Sequence, residues 1–445
     1  MIIGGTYIIT RHNNCLLHYI HISVNQRFDL FSKPYTLMSL PGILYQTWRA
    51  FLCFLSVIIF ILGAIFIVLQ QVLIKSIVRF SPHYTKVLLD SSKKSFILLL
   101  ITIFRINSRN TKIRLTVPKE LNEKQAIIPE SKDHNVLVKT VLDKQSIMIA
   151  NHQIYTDWVY LWWLSYTSNL GGSVYILLKK SLSYIPLLGY GMKNYEFIFL
   201  SRKWQEDQIT LHNQLNEIDR NGRGLGRLNG MMPEWTTPEG KFIWTDKSLQ
   251  SGNIHEAGTK WPYQLILFPE GTNLSANTRK KSIKYAEKIN KQPFNNVLLP
   301  HVTGLYTIIK SLTSCKYLYD VTIAYSGVDR HEYAQDIYTM KKVFLEGKSP
   351  QCIDIHINLV KTEDIPLENV DEFSDWLFKR WEIKDQLLEN YYDNDGVFYK
   401  DEEKSNVISG IYDCCCSSKE YLQILFAPCL TLWFVLQAFI KWVFK

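Results

Sequence analysis

No Cys-x-x-Cys pair occurs anywhere in the 445 residues, although there are 8 cysteines. That absence gives no indication of a zinc site or a disulfide framework. No Gly-x-Ser-x-Gly elbow occurs either, which sets aside a covalent serine hydrolase. Nor is there a zinc finger or other DNA-binding signature. The net charge of +9 is spread along the chain instead of forming one tail. Such a distribution suits an anionic membrane surface or a phosphate-bearing substrate, and no nucleic-acid partner is expected. Residues 1–36 lack a basic start followed by an apolar core, so no cleavable signal peptide is expected. No internal repeat is visible.

What is abundant is aromatic and apolar. Hydrophobic residues make up 47% of the chain and aromatics 13%, with 12 Trp and 25 Tyr. This suits a protein at a membrane interface, and equally a large aromatic core. Phe51 to Ile74 carries no charge over about 24 positions, enough for roughly 30 Å of hydrocarbon, and reads as a transmembrane helix. Leu422 to Ile440 is uncharged for about 19 positions but contains Pro428, so it either spans or lies flat. Phe96 to Phe104 is too short to span and reads as an interfacial or re-entrant piece. Lys75, Arg79 and Lys86 follow the first helix, against Arg49 before it, which places the following domain on the cytosolic side. Nothing upstream of Met38 is periodic, so Met38 is a candidate start. Cys414-Cys415-Cys416 precede the last apolar segment and are either palmitoylated or left as reduced thiols.

From about residue 135 the chain alternates strand-like and helix-like pieces. Strands are expected at Ser146–Ala150, Val174–Leu178, Phe197–Leu200, Gln264–Phe268, Val297–Leu299, Val321–Tyr325 and Ile353–Val360. Helices are expected at Trp158–Tyr166, Gln205–Asp219, Thr278–Asn290 and Val370–Asn390. The fold class is therefore α/β, a mainly parallel sheet flanked by helices, with an N-terminal membrane helix and a C-terminal membrane-associated helix. Residues 221–262 are rich in Gly, Pro and Trp and read as an insertion loop, in the manner of a substrate- or membrane-facing lid.

Two strand ends carry chemistry. Asn151-His152-Gln153-Ile154-Tyr155-Thr156-Asp157 follows Ile147–Ala150, and Phe268-Pro269-Glu270-Gly271-Thr272 follows Leu265–Leu267. In an open α/β sheet, ligands bind beyond the carboxyl ends of the strands. His followed five positions later by an acid is weak by itself. Chance supplies about one such pair, and the chain has three: His152/Asp157, His212/Glu217 and His331/Asp336. Only His152 follows a strand and precedes an apolar helix. Within one continuous helix the two positions would point roughly 140° apart, so a helix must start between them for the pair to meet. Asp157 then either orients the imidazole as a general base or is a plain helix-start acid. Glu270 could hydrogen-bond a polyol, Gly271 lets a ligand approach the backbone, and Thr272 either meets phosphate or caps a helix. Arg202, after Phe197–Leu200, either pairs with phosphate or is a surface cation. The run Arg279-Lys280-Lys281 with Lys284, Lys288 and Lys291 reads as a solvated helix face set to meet anionic headgroups.

In order and separation, Asn151-His152 with Asp157, Phe197-Ile198 with Arg202, Phe268 to Thr272, and Leu299-Pro300 resemble the four blocks of the glycerolipid acyltransferases. These are the 1-acylglycerol-3-phosphate and lysophospholipid acyltransferases. The resemblance covers roughly residues 45 to 390 and looks closest to fungal endoplasmic-reticulum members that remodel phosphatidylinositol. It implies transfer of a fatty acyl group from acyl-CoA, as co-substrate, to a lysophospholipid hydroxyl, with no cofactor or metal. It implies His152 as base and Asp157 as its partner, and it places Asn151, Arg202, Glu270, Gly271 and Thr272 around the acceptor. Pro300 falls in the fourth block, assigned to donor binding or packing. On this reading residues 1–45 are an extension, 46–110 the anchor region, 111–395 the acyltransferase domain and 396–445 a membrane-associated segment. One departure is that the family's second block commonly begins with Gly, where Glu196 stands here. Lysophosphatidylinositol or another anionic lysophospholipid is the expected acceptor. The alternatives are phosphatidic-acid synthesis, a lipid hydrolase or transacylase, and a non-catalytic scaffold.

Overall fold

The computed structural model describes residues 42–108, 111–125, 127–128, 138–201, 203–244 and 258–443. The candidate start at Met38 lies outside them. The chain divides into two units, Met1–Phe54 and Leu55–Lys445. The described part of the first is the opening of one long helix, α1 (Gly42–Ile77). The helices that follow are α2 (Pro82–Asn107), α3 (Lys119–Gln125), α4 (Asp157–Thr167), α5 (Leu188–Asn194), α6 (Trp204–Arg223), α7 (Ala276–Lys288), α8 (Val302–Ser311), α9 (Ala334–Ile337), α10 (Val370–Asp393) and α11 (Ser418–Val443). The strands are β1 (Lys112–Pro118), β2 (Gln145–Ala150), β3 (Val174–Lys179), β4 (Ile198–Leu200), β5 (Trp235–Thr236), β6 (Phe242–Ile243), β7 (Tyr263–Leu267), β8 (Tyr317–Tyr325), β9 (Cys352–Lys361) and β10 (Val407–Asp413).

Eight strands form one sheet in the order β10-β1-β9-β8-β2-β7-β3-β4. The five from β8 to β4 run parallel, β9 turns antiparallel on β8, and β10 closes antiparallel on β1. The central strands read as continuous apolar runs because helices cover both faces. Ile147, Met148, Ile149 and Leu265 are all fully buried. Two registers set the site. Ile149 stands beside Leu267, so β2 and β7 end at the same level. Ala150 stands beside Val321, so β8 continues four residues past the end of β2.

Two expectations are corrected. Val297–Leu299 is not a strand. It runs without a strand partner, and its backbone bonds go to side chains, Leu299 N–H to Ser282 Oγ at 3.0 Å among them. Phe96–Phe104 is not an interfacial piece. It is the middle of α2, and Ile97, Leu99 and Ile101 are fully buried. Lys93 and Lys94 precede the apolar run, yet the helix passes through them after a Ser81 N-cap. Buried Lys93 donates to the carbonyl of Val174 at 3.0 Å and lies 4.4 Å from the Tyr175 ring centre. Burial lowers its amine to about 7. Glu196 has φ +59°, in the left-handed region that costs an ordinary residue roughly 1 kcal/mol or more. This is the backbone reason a glycine suits that position; here the carboxylate is held by Lys86 at 3.1 Å and Tyr175 OH at 3.2 Å.

The stretch 221–262 is only partly a loop. It begins inside α6 and contains the β5–β6 hairpin, pinned by Asn213 to Gly240 O and Phe242 N–H at 2.8 Å each. It returns at Trp261, whose carbonyl accepts from Gln145 Nε2 at the start of β2. That is the sheet edge opposite His152, so the described part leaves from and returns to the wrong edge for a lid over that residue. Cys414 and Cys416 are buried and the Cys415 carbonyl accepts from Trp163 Nε1 at 3.0 Å, so lipidation of the two buried thiols requires local opening. By length and composition α1 can cross a membrane over Leu44–Ile77.

Candidate active site

Because β2 and β7 are parallel and end level, the turns that follow them emerge side by side. After Ala150 the chain turns, and α4 starts at Asp157. The helix start therefore lies between His152 and Asp157, as the pair needs. His152 Nδ1 and Asp157 Oδ2 are 2.8 Å apart. The same oxygen accepts from the N–H groups of Gln153 (2.7 Å) and Ile154 (3.1 Å). Oδ1 accepts from the Tyr325 hydroxyl, supplied by the overhanging end of β8. Asp157 is fully buried, yet every one of these groups donates to it, and it sits at a helix N-terminus. Both features stabilise a carboxylate.

The carboxylate fixes which face of the imidazole is free. With Nδ1 engaged, Nε2 makes no hydrogen bond among the described residues, and the ring is 17% exposed. The ring stacks on Phe268, with centres 4.4 Å apart and planes inclined by 26°. Phe268 opens the second turn, so the two strand ends meet through this stack. Leu274 N–H donates to His152 O at 2.8 Å and closes the contact. The arrangement holds a proton acceptor at the sheet rim, backed by a buried charge. The other two pairs lack this. His212 Nε2 meets Asn216 at 2.8 Å while Glu217 pairs with Arg227, and His331 is exposed.

In the second turn, Gly271 N–H donates to Phe268 O at 2.9 Å and Gly271 has φ +69°. A Cβ there would stand 3.1 Å from His301 Cδ2, so both backbone angle and space select glycine. Thr272 is half-buried and caps nothing, since Ser275 caps α7 in a box with Thr278. Glu270 is 3% exposed. Trp381 Nε1 donates to its Oε1 at 3.3 Å, while Oε2 has no hydrogen bond. Burial pushes this carboxyl well above the usual range, against the indole and the Leu298 and His152 N–H groups, which favour the charged form. The polyol contact expected of Glu270 is thus not open to solvent here.

Asn151 is fully buried and its amide is fully used. Nδ2 donates to Ile323 O at 3.0 Å and Oδ1 accepts from Ile323 N–H at 2.8 Å, extending the β2–β8 ladder by one side chain. Pro300 is buried in the segment beside the second turn, where His301 N–H donates to Pro269 O at 2.8 Å. Arg202 lies outside the described residues. Sequence reasoning brought His152, Asp157, Glu270 and Gly271 to one edge, and the structure places them there, with Pro300, assigned only by the resemblance, in the segment beside them. It missed Tyr325, Gln153, His301 and Trp381. Gln153 stands within the first block and His301 directly after the fourth. Tyr325 and Trp381 arrive through tertiary packing, with no local signal. Among the described residues no group of three or more His, Cys, Asp or Glu is placed to hold a metal.

Comparison with known proteins agrees with this geometry. Residues 128–326 match the family described as acyltransferase, and residues 343–410 match the acyltransferase C-terminus. A 2-acyl-1-lysophosphatidylinositol acyltransferase of Saccharomyces cerevisiae is 45% identical over 383 residues, covering 86% of this chain and 94% of the relative. A lysocardiolipin acyltransferase 1 of Gallus gallus is 28% identical over 292 residues, covering 65% of this chain and 62% of the relative. A lysophosphatidylinositol acyltransferase 10 of Caenorhabditis elegans is 28% identical over 252 residues, covering 56% and 53%. No solved structure matches. With the sheet, the paired turns and these relatives in agreement, the chain belongs to the acyltransferase family.

Proposed function

We propose that the protein transfers a fatty acyl group from acyl-CoA to the free hydroxyl of an anionic lysophospholipid, lysophosphatidylinositol foremost. The observation that carries this is the imidazole tied to Asp157 at 2.8 Å, with its other nitrogen unengaged at the sheet rim. His152 Nε2 takes the hydroxyl proton as the lipid oxygen attacks the thioester carbon. The C–S bond breaks, and the sulfur leaves with the proton that His152 carried, giving CoA thiol and diacyl lipid. Asp157 supports the imidazolium formed in between. The N–H groups of Gln153, Ile154 and Gly271 are committed to the fold. Thr272, whose N–H has no partner among the described residues, is the candidate oxyanion donor.

The headgroup reading draws on the relatives named for lysophosphatidylinositol. The surface supports it too. Lys280, Lys281, Lys284 and Lys288 lie on α7 with no acidic partner among the described residues, directly after the second turn. Such a face attracts anionic lipid. In this reading α1 anchors the protein in the endoplasmic-reticulum membrane, with the α/β unit on the cytosolic face.

Purified protein incubated with labelled acyl-CoA and a panel of lysophospholipids tests the assignment. Diacyl product, largest with lysophosphatidylinositol, is expected. Preference for 1-acylglycerol-3-phosphate would reassign the acceptor, and release of free fatty acid alone would point to a hydrolase.

A further inference from the structure

Helix α10 lies outside the four sequence blocks, yet one side of it reaches into the loops that shape the site. Trp381 is fully buried and donates to Glu270 Oε1 at 3.3 Å. One turn later, Asp385 accepts from the N–H groups of Asn295 (3.1 Å) and Asn296 (2.6 Å). Another turn on, Glu389 accepts from Asn296 Nδ2 at 3.0 Å. Residues four apart share a helix face, so a single face of α10 grips both loops. The helix is itself fixed to the sheet. Arg380 and Lys384 meet Asp320 on β8, and Tyr391 donates to Asp354 on β9 at 3.0 Å.

From these loops the contacts run on to His152. Gln153 Nε2 donates to Asn296 O at 3.0 Å, and Leu274 N–H donates to His152 O at 2.8 Å. Glu270 lies beneath its turn, 3% exposed, with its unpaired oxygen shut off from solvent. With Oε1 held by the indole and the side chain shut off from solvent, what Glu270 holds is its own turn and α10.

We infer that Glu270, Trp381 and Asp385 are positioning residues. The C-terminal helix grips the Glu270 turn and the Asn295–Asn296 segment, and so fixes where His152 Nε2 stands against the reacting hydroxyl. Small displacements of a catalytic group cost rate steeply, about 100-fold for roughly 1 Å. The inference rests on the acyl-transfer reading of His152 and assigns the C-terminal region a task in that reaction.

The test uses the full chain in lipid vesicles, with Trp381→Phe, Asp385→Asn, Glu270→Gln and, as a control, Glu382→Ala, an exposed residue of the same helix. kcat and both KM values are measured alongside thermal unfolding. Each of the three is expected to lower kcat about 10-fold or more, with the lysolipid KM within about twofold. Trp381→Phe combined with Glu270→Gln is expected to cost little beyond Glu270→Gln alone, because the two act as one contact. A raised lysolipid KM with unchanged kcat in Glu270→Gln would make it a direct acceptor contact and overturn the inference. Lowered unfolding temperature with full kcat would reduce α10 to scaffold and overturn it equally. Neither result touches the assignment of His152, which its own substitution tests.

Discussion

Replacing Asp157 by Asn removes one charge and almost nothing else. The amide oxygen can take the place of Oδ2, accepting from His152 Nδ1–H and from the N–H groups of Gln153 and Ile154. The amide nitrogen then donates to the Tyr325 hydroxyl in place of accepting from it. The Tyr325 O–H loses its acceptor, which should lower stability by about 1–3 kcal/mol while the other three contacts hold the turn. What disappears is support for the imidazolium formed when His152 takes the hydroxyl proton. Unit charges about 4 Å apart at an effective dielectric of about 20 attract by roughly 4 kcal/mol. At 1.36 kcal/mol per decade this is about a 10³-fold loss in kcat. Acyl transfer is measured from labelled acyl-CoA and normalised to folded protein, with the thermal transition compared to the parent. A folded Asp157→Asn variant retaining a tenth of parental kcat or more would show that the carboxylate is a helix-start acid with no catalytic task.

Other consequences follow from neighbouring contacts. Tyr325→Phe removes one donor to Asp157 and leaves the charge, so kcat should fall about 10-fold, between parent and Asp157→Asn; unchanged kcat would remove Tyr325 from the site. Glu196→Gly relieves the left-handed backbone while Glu196→Gln keeps it and loses the charge, so thermal unfolding should place the Gly variant above the Gln variant, and the reverse order would refute the strain argument. Burial lowers the His356 imidazole from the usual 6.5 to about 4, so the unfolded chain takes up a proton between those pH values and the folded one does not. Its contribution, up to about 3 kcal/mol, is present above about pH 6.5 and lost as pH falls towards about 4. Burial raises Asp354 to about 6, which titrates the opposite way, so the reading is taken from the difference. His356→Gln should gain stability relative to the parent between pH 7 and 4.5, and no change in that difference would contradict the shift.

Local chemistry was legible in the sequence. Strands β2 and β7 announced themselves as short apolar runs ending in polar turns, and their parallel pairing followed from the intervening helices. The His152 and Glu270 turns could therefore be placed on one edge before any coordinates. The edges of the sheet were not legible. Strand β1 alternates cleanly, with Ile113, Leu115 and Val117 buried, but its partner β10 lies almost 300 residues away and carries Gly410. Helix α2 was hidden by Lys93, a charge that a solvent-side pattern would place outside and that the fold buries against a carbonyl. The Val297–Leu299 segment carried a strand's composition, yet side chains of α7 and α10 take the bonds that a neighbouring strand would have taken. In the site, the turn suggested that Glu270 meets the acceptor, and only packing shows that its Oε1 is taken by the indole of Trp381. Tyr325 reaches Asp157 because β8 overruns β2, a register that no local pattern encodes.

The most direct test is the product profile of His152→Ala. The folded variant, given labelled acyl-CoA and lysophosphatidylinositol, should form diacyl lipid at least 10²-fold more slowly, the loss typical for a removed general base, or about 10⁴-fold if the pair acts as one unit. Diacyl product at the parental rate from that variant would contradict the account at its centre.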